Sequence, residues 1–259
     1  MLNTVSTIKD WQAIRQSIGN KTVGFVPTMG HLHEGHLSLC RRAKQENDVV
    51  VVSIFVNPTQ FNQVSDFDLY PRTIEKDIEL LSSVGVDYLF LPNAQEMYHD
   101  QYQIQVSENI LSTELEGEFR PGHFNGMMTV VMKLLNLTQA TRAYFGEKDY
   151  QQLLLVKKMV SALFMPVEII GCETIRAKDG LALSSRNSRL NPEQRQKAIE
   201  FASLLKNGCD VEKISQQLTA SGFKVDYIAE KWGRRLGAVW IDAVRLIDNI
   251  PLQEEHESC

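Results

Sequence analysis

The stretch PTMGHLHEGH at positions 27–36 has the clearest chemical potential in the chain, and it directly follows the apolar run TVGFV. It contains three histidines and two glycines, namely His31, His33, His36, Gly30 and Gly35. An imidazole can ligate a metal ion, transfer a proton near neutral pH, or donate a hydrogen bond to an anion. Which of these the histidines do decides what chemistry the chain can perform.

A zinc site is the first interpretation of clustered histidines. A helical zinc site of the His-Glu-x-x-His type places two imidazoles four residues apart on one helix face. Here His33-Glu34-Gly35-His36 is one residue short and has a glycine inside it. The spacing therefore disfavours zinc, and the sequence assigns no protein ligand to a metal. A surface or capping role without chemistry is the other alternative, and for His31 it is the favoured one.

Phosphate binding explains histidine and glycine together. A helix predicted to begin near His36 presents backbone N–H groups and the positive end of its dipole. Gly30 and Gly35 would let the backbone approach a ligand closely. The imidazoles of His33 and His36 could then donate hydrogen bonds to a polyphosphate whose charge grows in a transition state.

The elements around this loop alternate between apolar runs and helical periodicity. Strands are predicted at 22–26, 49–56, 86–91, 143–145 and 167–171, and helices at 36–45, 72–84, 127–137 and 149–163. This alternation predicts an α/β fold with a Rossmann-like, doubly wound parallel sheet. Ligands of such sheets bind beyond the carboxyl ends of the strands, where the histidine loop lies.

The pattern changes after position 187. Helices are predicted at 191–207 and 212–218, and one strand or a strand pair at 238–250. We therefore expect a Rossmann-like ligand-binding domain at 1–178 and a smaller C-terminal α+β domain at 179–259. The tail QEEHESC is predicted to be frayed.

Composition excludes several classes of protein. The 259 residues carry a net charge of −5, which argues against a general nucleic-acid binder. The four cysteines are scattered, a pattern typical of reduced thiols in the cytoplasm. The N-terminus lacks the layout of a signal peptide, and no apolar run reaches the roughly 20 residues that span a bilayer. We expect a cytoplasmic protein that binds neither membranes nor nucleic acid.

Seven blocks in order along the chain resemble one enzyme family. They are PTMGHLHEGH (27–36), VVVSIFVNPTQF (50–61), YPRT (70–73), RPGHF (120–124), YFGEKDYQQL (144–153), DGLALSSRN (179–187) and RLIDN (245–249). His33-x-Gly35-His36 matches the HxGH signature of the nucleotidyltransferase superfamily. Together the blocks resemble the pantothenate synthetase (pantoate–β-alanine ligase) family of that superfamily.

The resemblance implies a ligase that forms an amide bond between pantoate and β-alanine. The pantoate carboxylate would attack the α-phosphorus of ATP to give pantoyl adenylate and pyrophosphate, and β-alanine would then displace AMP. ATP with Mg²⁺ would be the energy-supplying substrate, and the small molecules would be the partners. The family also implies a homodimer. The rival functions are a nucleotidyltransferase that acts on a different acid, a zinc hydrolase, and a non-catalytic RNA- or protein-binding module related to tRNA synthetases.

The resemblance also implies roles for individual residues. ATP would contact Met29, Gly30, His31, Leu32, His33, Glu34, Gly35, His36, Gly146, Glu147, Lys148, Asp149, Ile175, Leu183, Ser184, Ser185 and Arg186. The catalytic groups among them would be His36 as proton donor, His33, Lys148, Ser184, Ser185 and Arg186. Gln60, Gln152, Asn57 and Arg120 would bind pantoate and β-alanine. From the residues alone, SSRN (184–187) could instead be a plain turn, and Asn57 and Arg120 could instead support loops.

Overall fold

A computed structural model describes residues 2–62, 67–208 and 210–252 of the chain. The chain divides into two compact units, Met1–Glu147 with Gln151–Glu173, and Lys148–Tyr150 with Thr174–Cys259. The tail predicted to be frayed lies outside the described residues, as does Cys209.

The first unit contains a six-stranded parallel sheet in the order β1-β4-β3-β2-β5-β6. Its strands are β1 (Asn3–Val5), β2 (Val23–Thr28), β3 (Val49–Ile54), β4 (Tyr88–Phe90), β5 (Arg142–Gly146) and β6 (Glu168–Cys172). Strand β2 pairs with β3 on one side and β5 on the other, so the strand order reverses there. In open α/β sheets such a reversal leaves a ligand-binding crevice at the carboxyl ends of the two strands. The predicted fold class is confirmed.

Burial explains why the central strands read as unbroken apolar runs. Positions Val49–Ser53 of β3 are all buried, because helices cover the sheet and leave no solvent-facing side. The register pairs Thr28 at the end of β2 with Ile54 at the end of β3. The loops that follow β2 and β3 therefore start side by side.

Seven α-helices are described in or beside this sheet region. They are α1 (Ile8–Ile18), α2 (Glu34–Glu46), α3 (Ile74–Ser83), α4 (Ala94–Met97), α5 (Glu116–Phe119), α6 (His123–Thr138) and α7 (Tyr150–Ala162), with short 3-10 helices at Pro58–Gln60, Leu111–Thr113 and Glu147–Asp149. Helix α2 packs on β2, β3 and β5, and α6 packs on β2 and α1. No helix in the described part of the chain has the length and apolar composition to cross a membrane.

Two N-terminal elements, β1 and α1, were not predicted. Strand β1 has only three residues, too few to show a period, and α1 is mostly polar. Tertiary contacts fix α1 instead: Trp11 is fully buried, stacks on Phe90 with ring centroids 5.5 Å apart, and donates from Nε1 to the Leu137 carbonyl at 2.9 Å.

The second unit contains a three-stranded antiparallel sheet in the order β7-β8-β9, formed by β7 (Lys224–Lys231), β8 (Arg234–Ile241) and β9 (Val244–Pro251). Helices α8 (Pro192–Asn207) and α9 (Val211–Ala220) supply apolar side chains to its core, among them Phe201, Leu205 and Leu218. The smaller α+β element set is confirmed. The prediction of strands only within 238–250 was wrong in extent, since β7 was missed and β8 begins at Arg234. Strand β7 has no buried residue that would create a clear alternation.

Candidate functional site

The histidine loop ends in a reciprocal capping pair at the start of α2. His33 is the N-cap residue, and its Nδ1 accepts a hydrogen bond from the Gly35 amide at 3.2 Å. In return, Nδ1 of His36 accepts from the backbone N–H of His33 at 3.3 Å. The two rings lie 4.1 Å apart between centroids. The helix therefore begins at Glu34 rather than at the predicted 36, because imidazoles cap it in place of the usual Ser, Thr or Asp.

This pair fixes which nitrogen of each ring carries the proton. A backbone N–H can only donate, so Nδ1 of both His33 and His36 is an acceptor and bears no hydrogen. The neutral ring then carries its proton on Nε2. The geometry makes each imidazole an Nε2–H donor at the N-terminal end of α2, where the helix dipole favours negative charge.

A buried carboxylate holds the first half of the loop. Asp77 on α3 is 1% exposed and accepts from the amides of His31 at 2.9 Å and Leu32 at 2.8 Å. Thr73 adds a hydroxyl donor to the same carboxylate at 3.3 Å, and Nδ1 of His31 lies 3.3 Å from that hydroxyl. Spacing in the sequence did not point to Asp77, because it is distant in the chain and looks like an ordinary acidic residue in a helix.

Backbone N–H groups of the loop therefore already donate to acceptors within the protein. The Gly30 amide donates to Thr28 Oγ1 at 3.2 Å, and those of His31 and Leu32 donate to Asp77. Gly30 has a φ of 82°, and a Cβ there would lie 3.0 Å from Ile54 and 3.2 Å from Asp77. We expected Gly30 to bring the backbone close to a ligand. The structure shows a further requirement for glycine here, the left-handed turn against Ile54 and Asp77. The expected ligand contact of Gly30 stays a prediction.

Gln60 is oriented by a chain of hydrogen bonds behind the loop. Asn57 is 1% exposed, and its Nδ2 donates to the Gly126 carbonyl, which fixes the orientation of the amide. The same Nδ2 donates to Gln60 Oε1 at 3.1 Å, which turns Gln60 Nε2 towards Met29 Sδ at 3.0 Å. Oδ1 of Asn57 accepts from the Tyr98 hydroxyl at 2.6 Å. These contacts favour a supporting role for Asn57 and leave Gln60 as a donor beside the histidine loop.

The first unit also contains Arg120 and the adjacent glutamines Gln151 and Gln152. Arg120 pairs with Glu116 at 3.4 Å and lies 3.5 Å from the Gln60 carbonyl, which also contacts Nδ1 of His123 at 2.8 Å. Gln151 is buried and its amide group spans Leu111, Glu114 and Glu116. The adjacent Gln152 is only partly buried. Gln151 therefore has a structural role, which the sequence alone did not reveal. The pantoate contact predicted for Gln152 stays a prediction.

The charge of Glu34 is balanced locally. A hydrogen bond from the Arg41 guanidinium holds the pKa of the Glu34 carboxyl below its ordinary value, so that it is ionised at neutral pH. The second bond of this pair joins Arg41 Nη2 to Glu34 Oε2 at 3.2 Å. Arg41 therefore offsets a negative charge that would otherwise repel an anion at the start of α2.

The other predicted site residues divide between the two units. Gly146 ends β5, next to β2 in the sheet, and Glu147 follows it. The second unit contains Lys148, which is half-buried, and Asp149, which is exposed. It also contains a short ladder in which the Leu183 amide donates to the Ile175 carbonyl at 2.9 Å.

Ser184-Ser185-Arg186 forms the start of a 3-10 helix rather than a plain turn. Ser184 is its N-cap and accepts the Arg186 amide on Oγ at 3.2 Å. The Asn187 side chain donates to the Ala182 carbonyl at 2.9 Å. The bond from Asn187 therefore ties the C-terminal end of the segment to residue 182 within the second unit.

Comparison with known proteins gives one consistent result. The family model described as pantoate-beta-alanine ligase matches residues 1–251. A pantothenate synthetase from Legionella pneumophila (strain Corby) is 53% identical over 243 residues, covering 93% of this chain and 96% of the relative. One from Coxiella burnetii (strain Dugway 5J108-111) is 48% identical over 255 residues, covering 98% and 99%.

Solved structures agree. The crystal structure of pantoate-beta-alanine ligase from Francisella tularensis complexed with beta-gamma ATP and beta-alanine has a TM-score of 0.93 at 43% identity, covering 97% of this chain and 98% of that one. Pantothenate synthetase from Thermus thermophilus has a TM-score of 0.89 at 44% identity, covering 96% and 99%.

The role of Asp77 is testable without a ligand. Asp77→Asn keeps one oxygen but turns an NH₂ group towards a loop amide. We expect faster hydrogen exchange at the amides of His31 and Leu32, and a free energy of unfolding lower by ~2–3 kcal/mol, because charge-assisted hydrogen bonds are lost in a buried site. Asp48→Asn is the matched control, since the exposed Asp48 also accepts two bonds, both from Thr22. Unchanged exchange in Asp77→Asn would refute the anchoring role.

The tautomers of the capping pair can be measured directly. Long-range ¹H–¹⁵N NMR at alkaline pH should show Nε2–H tautomers for His33 and His36, with Nδ1 unprotonated, because both Nδ1 atoms accept backbone hydrogen bonds. The exposed His99 serves as the reference signal. An Nδ1–H tautomer for either loop histidine would contradict the assigned geometry.

Proposed function

The chain belongs to the pantoate–β-alanine ligase family, and from that premise we propose that it condenses pantoate with β-alanine using ATP. The reaction has two steps and passes through pantoyl adenylate. Its products are pantothenate, AMP and pyrophosphate. The family assignment supports the identity of the substrates, and the geometry of the histidine loop supports the way in which they are activated.

One observation carries the proposal. Two imidazoles with their Nδ1 atoms held by backbone amides lie at the carboxyl end of β2, next to β5, where the strand order of the sheet reverses. Both rings are Nε2–H donors, and donors of fixed direction suit the phosphate oxygens of a nucleotide. A structural capping role alone would not require two adjacent imidazoles, because a single Ser, Thr or Asp would suffice.

In the first step, a pantoate carboxylate oxygen forms a bond to the α-phosphorus of ATP, and the bond from that phosphorus to the bridging oxygen of pyrophosphate breaks. Negative charge grows on the phosphate oxygens and on the leaving pyrophosphate. Nε2–H of His33 and His36 would stabilise that charge, with His36 as the donor to the reacting phosphate, and Lys148 would add a positive charge. This is catalysis by positioning and charge stabilisation, with no covalent enzyme intermediate.

In the second step, the amine of β-alanine forms a bond to the acyl carbon, AMP leaves, and the amine releases a proton. Gln60 and Gln152 would hold the pantoyl group through its hydroxyl and carboxylate oxygens. A neutral amide suits this task because it orients the carboxylate without neutralising the charge that makes it nucleophilic. The Nε2 atom of Gln60, which donates to Met29 Sδ in this structure, would donate to pantoate in this way.

Magnesium enters the proposal as part of the substrate MgATP. Within the described ranges, no three His, Cys, Asp or Glu side chains are grouped so that they could hold a metal ion. No protein ligand is proposed for the ion. It would reduce the negative charge of the triphosphate when it arrives with the nucleotide.

The remaining predicted contacts belong to the C-terminal part of the chain. We propose that Ser184, Ser185 and Arg186 bind the triphosphate, Arg186 as a fixed cation and the serines as hydroxyl donors. Asp149 would accept from ribose hydroxyls, and Ile175 and Leu183 would lie beside the nucleotide. The boundary after 178, with 179–259 as a small lid domain, remains part of this proposal.

The substrate assignment is tested by isotope exchange. Purified protein with MgATP and labelled pyrophosphate should incorporate label into ATP only when pantoate is present, and should form pantothenate when β-alanine is added. Exchange that depends on a different acid and is absent with pantoate would show that the chain is the rival kind of nucleotidyltransferase.

If the catalytic roles are correct, replacing these residues should reduce the exchange rate far more than the free energy of unfolding. His36→Ala and Lys148→Ala should each slow pantoate-dependent exchange by ~10²–10³, because each removes a preorganised group that stabilises charge. His36→Ala also removes a cap, which costs only about 0.5–2 kcal/mol of stability. Urea unfolding would quantify this second effect.

Matched controls for these variants are present in the chain. His99→Ala and Lys157→Ala remove exposed side chains of the same types, and both should exchange at the wild-type rate. Near-full turnover in His36→Ala or Lys148→Ala would remove the role assigned to that residue.

We also propose, from the family resemblance, that the protein is a homodimer. Sedimentation should then give the mass of two chains at micromolar concentration, whereas a single-chain mass would refute the proposal. A cytoplasmic location and the absence of nucleic-acid partners remain predictions from composition.

A further inference from the structure

The RLIDN block (245–249) has no role in the function proposed so far. Its last two residues lie on β9 and are both buried, Asp248 at 4% and Asn249 at 2% exposure. A buried aspartate next to a buried asparagine requires partners, because unpaired polar groups in an apolar interior are costly. Two of those partners, Lys148 and Arg176, belong to the segments of the second unit that contain the predicted nucleotide contacts.

Asn249 is bonded to the backbone of Lys148. Its Nδ2 donates to the Lys148 carbonyl at 2.9 Å, and its Oδ1 accepts from Arg234 Nη1 at 2.7 Å. A guanidinium can only donate, so the orientation of the asparagine amide is settled and Nδ2 must face Lys148. The Arg234 guanidinium in turn lies over the Tyr150 ring, 4.2 Å from its centroid. These two contacts hold residues 148–150 at the Lys148 carbonyl and at the Tyr150 ring.

Asp248 extends the network to the second segment. Its carboxylate forms two hydrogen bonds with Arg176, at 2.7 and 2.9 Å, and also accepts one from the backbone N–H of Asn249 at 2.8 Å. Arg176 also donates to the Asn249 carbonyl at 3.2 Å and to the Gly180 carbonyl at 3.1 Å. Arg176 directly follows Ile175, whose carbonyl pairs with Leu183. One buried pair therefore connects 148–150 with the 175–183 hairpin.

We propose that Asn249 is a positioning residue for Lys148, with Asp248 and Arg176 holding Asn249 in place. Its amide fixes the Lys148 carbonyl, and so the point from which the lysine side chain extends towards phosphate. This inference rests on the proposed function for the role of Lys148 in catalysis. It adds that the small antiparallel sheet sets the position of a catalytic cation, besides contributing to the fold.

A double-mutant cycle tests whether Asn249 acts through Lys148. Asn249→Ala should slow pantoate-dependent exchange and weaken MgATP binding about tenfold, which corresponds to ~1.4 kcal/mol, the size of one hydrogen bond. In a Lys148→Ala background the same substitution should change either quantity less than twofold, because the group it positions is gone. A tenfold loss in both backgrounds, or no loss in the wild-type background, would overturn the proposal.

Two further variants separate positioning from folding. Asn249→Asp keeps an oxygen for Arg234 but presents an acceptor to the Lys148 carbonyl, so it should be at least as impaired as Asn249→Ala; a near-wild-type rate would overturn the proposal. Asp226→Asn is the matched control. Asp226 is a partly buried residue of the same sheet, and its carboxylate accepts hydrogen bonds from Trp240 and Arg245. That variant should lower the melting temperature and leave rate and affinity unchanged.

The two hypotheses fail in different measurements. Wild-type protein without pantoate-dependent exchange would refute the proposed function. The cycle on MgATP affinity, measured by calorimetry without any acid, would still decide whether Asn249 acts through Lys148.

Discussion

The reciprocal hydrogen bonds between the imidazoles of His33 and His36 and the backbone of residues 33–35 are the constraint on which the rest of the site depends. They begin α2, and they also commit both Nδ1 atoms as acceptors. Because one ring nitrogen is used by the backbone, the other must carry the proton in the neutral ring, and each imidazole becomes a donor of fixed direction. Two donors that would suit a polyphosphate therefore lie after the end of β2, and the start of α2 alone is enough to orient them.

Support for this pair comes from behind the loop. Asp77 accepts the amides of His31 and Leu32, and Asn57 orients Gln60 through hydrogen bonds that end at the Gly126 carbonyl. The same principle recurs in the second unit, where Asn249 holds the Lys148 carbonyl. In each case a buried polar group satisfies backbone or amide partners in a segment that contains a proposed site residue. A preorganised site needs this arrangement, since donors that must reorient during the reaction stabilise the transition state less.

Local signals in the sequence were sufficient for much of the fold. The apolar run at 49–56 predicted β3, and the Asn-Pro cap at 191–192 placed the start of α8. They failed where structure depends on distant contacts or on unusual chemistry. Strand β1 is too short to show a period, β7 has no buried positions, and a histidine cap made α2 begin earlier than expected. Asp77 and Asn249 could not be found from spacing, because their partners lie 46 and 101 residues away along the chain. The residue types of the histidine loop were informative because they are rare in that combination.

The most direct test of phosphate binding by the two imidazoles is a crystal structure of the protein with magnesium, pantoate and a non-hydrolysable ATP analogue. We predict phosphate oxygens within about 3.2 Å of Nε2 of both His33 and His36, at hydrogen-bonding distance, while the Nδ1 atoms keep their backbone partners. A nucleotide bound elsewhere, with neither ring in contact with phosphate, would contradict this prediction.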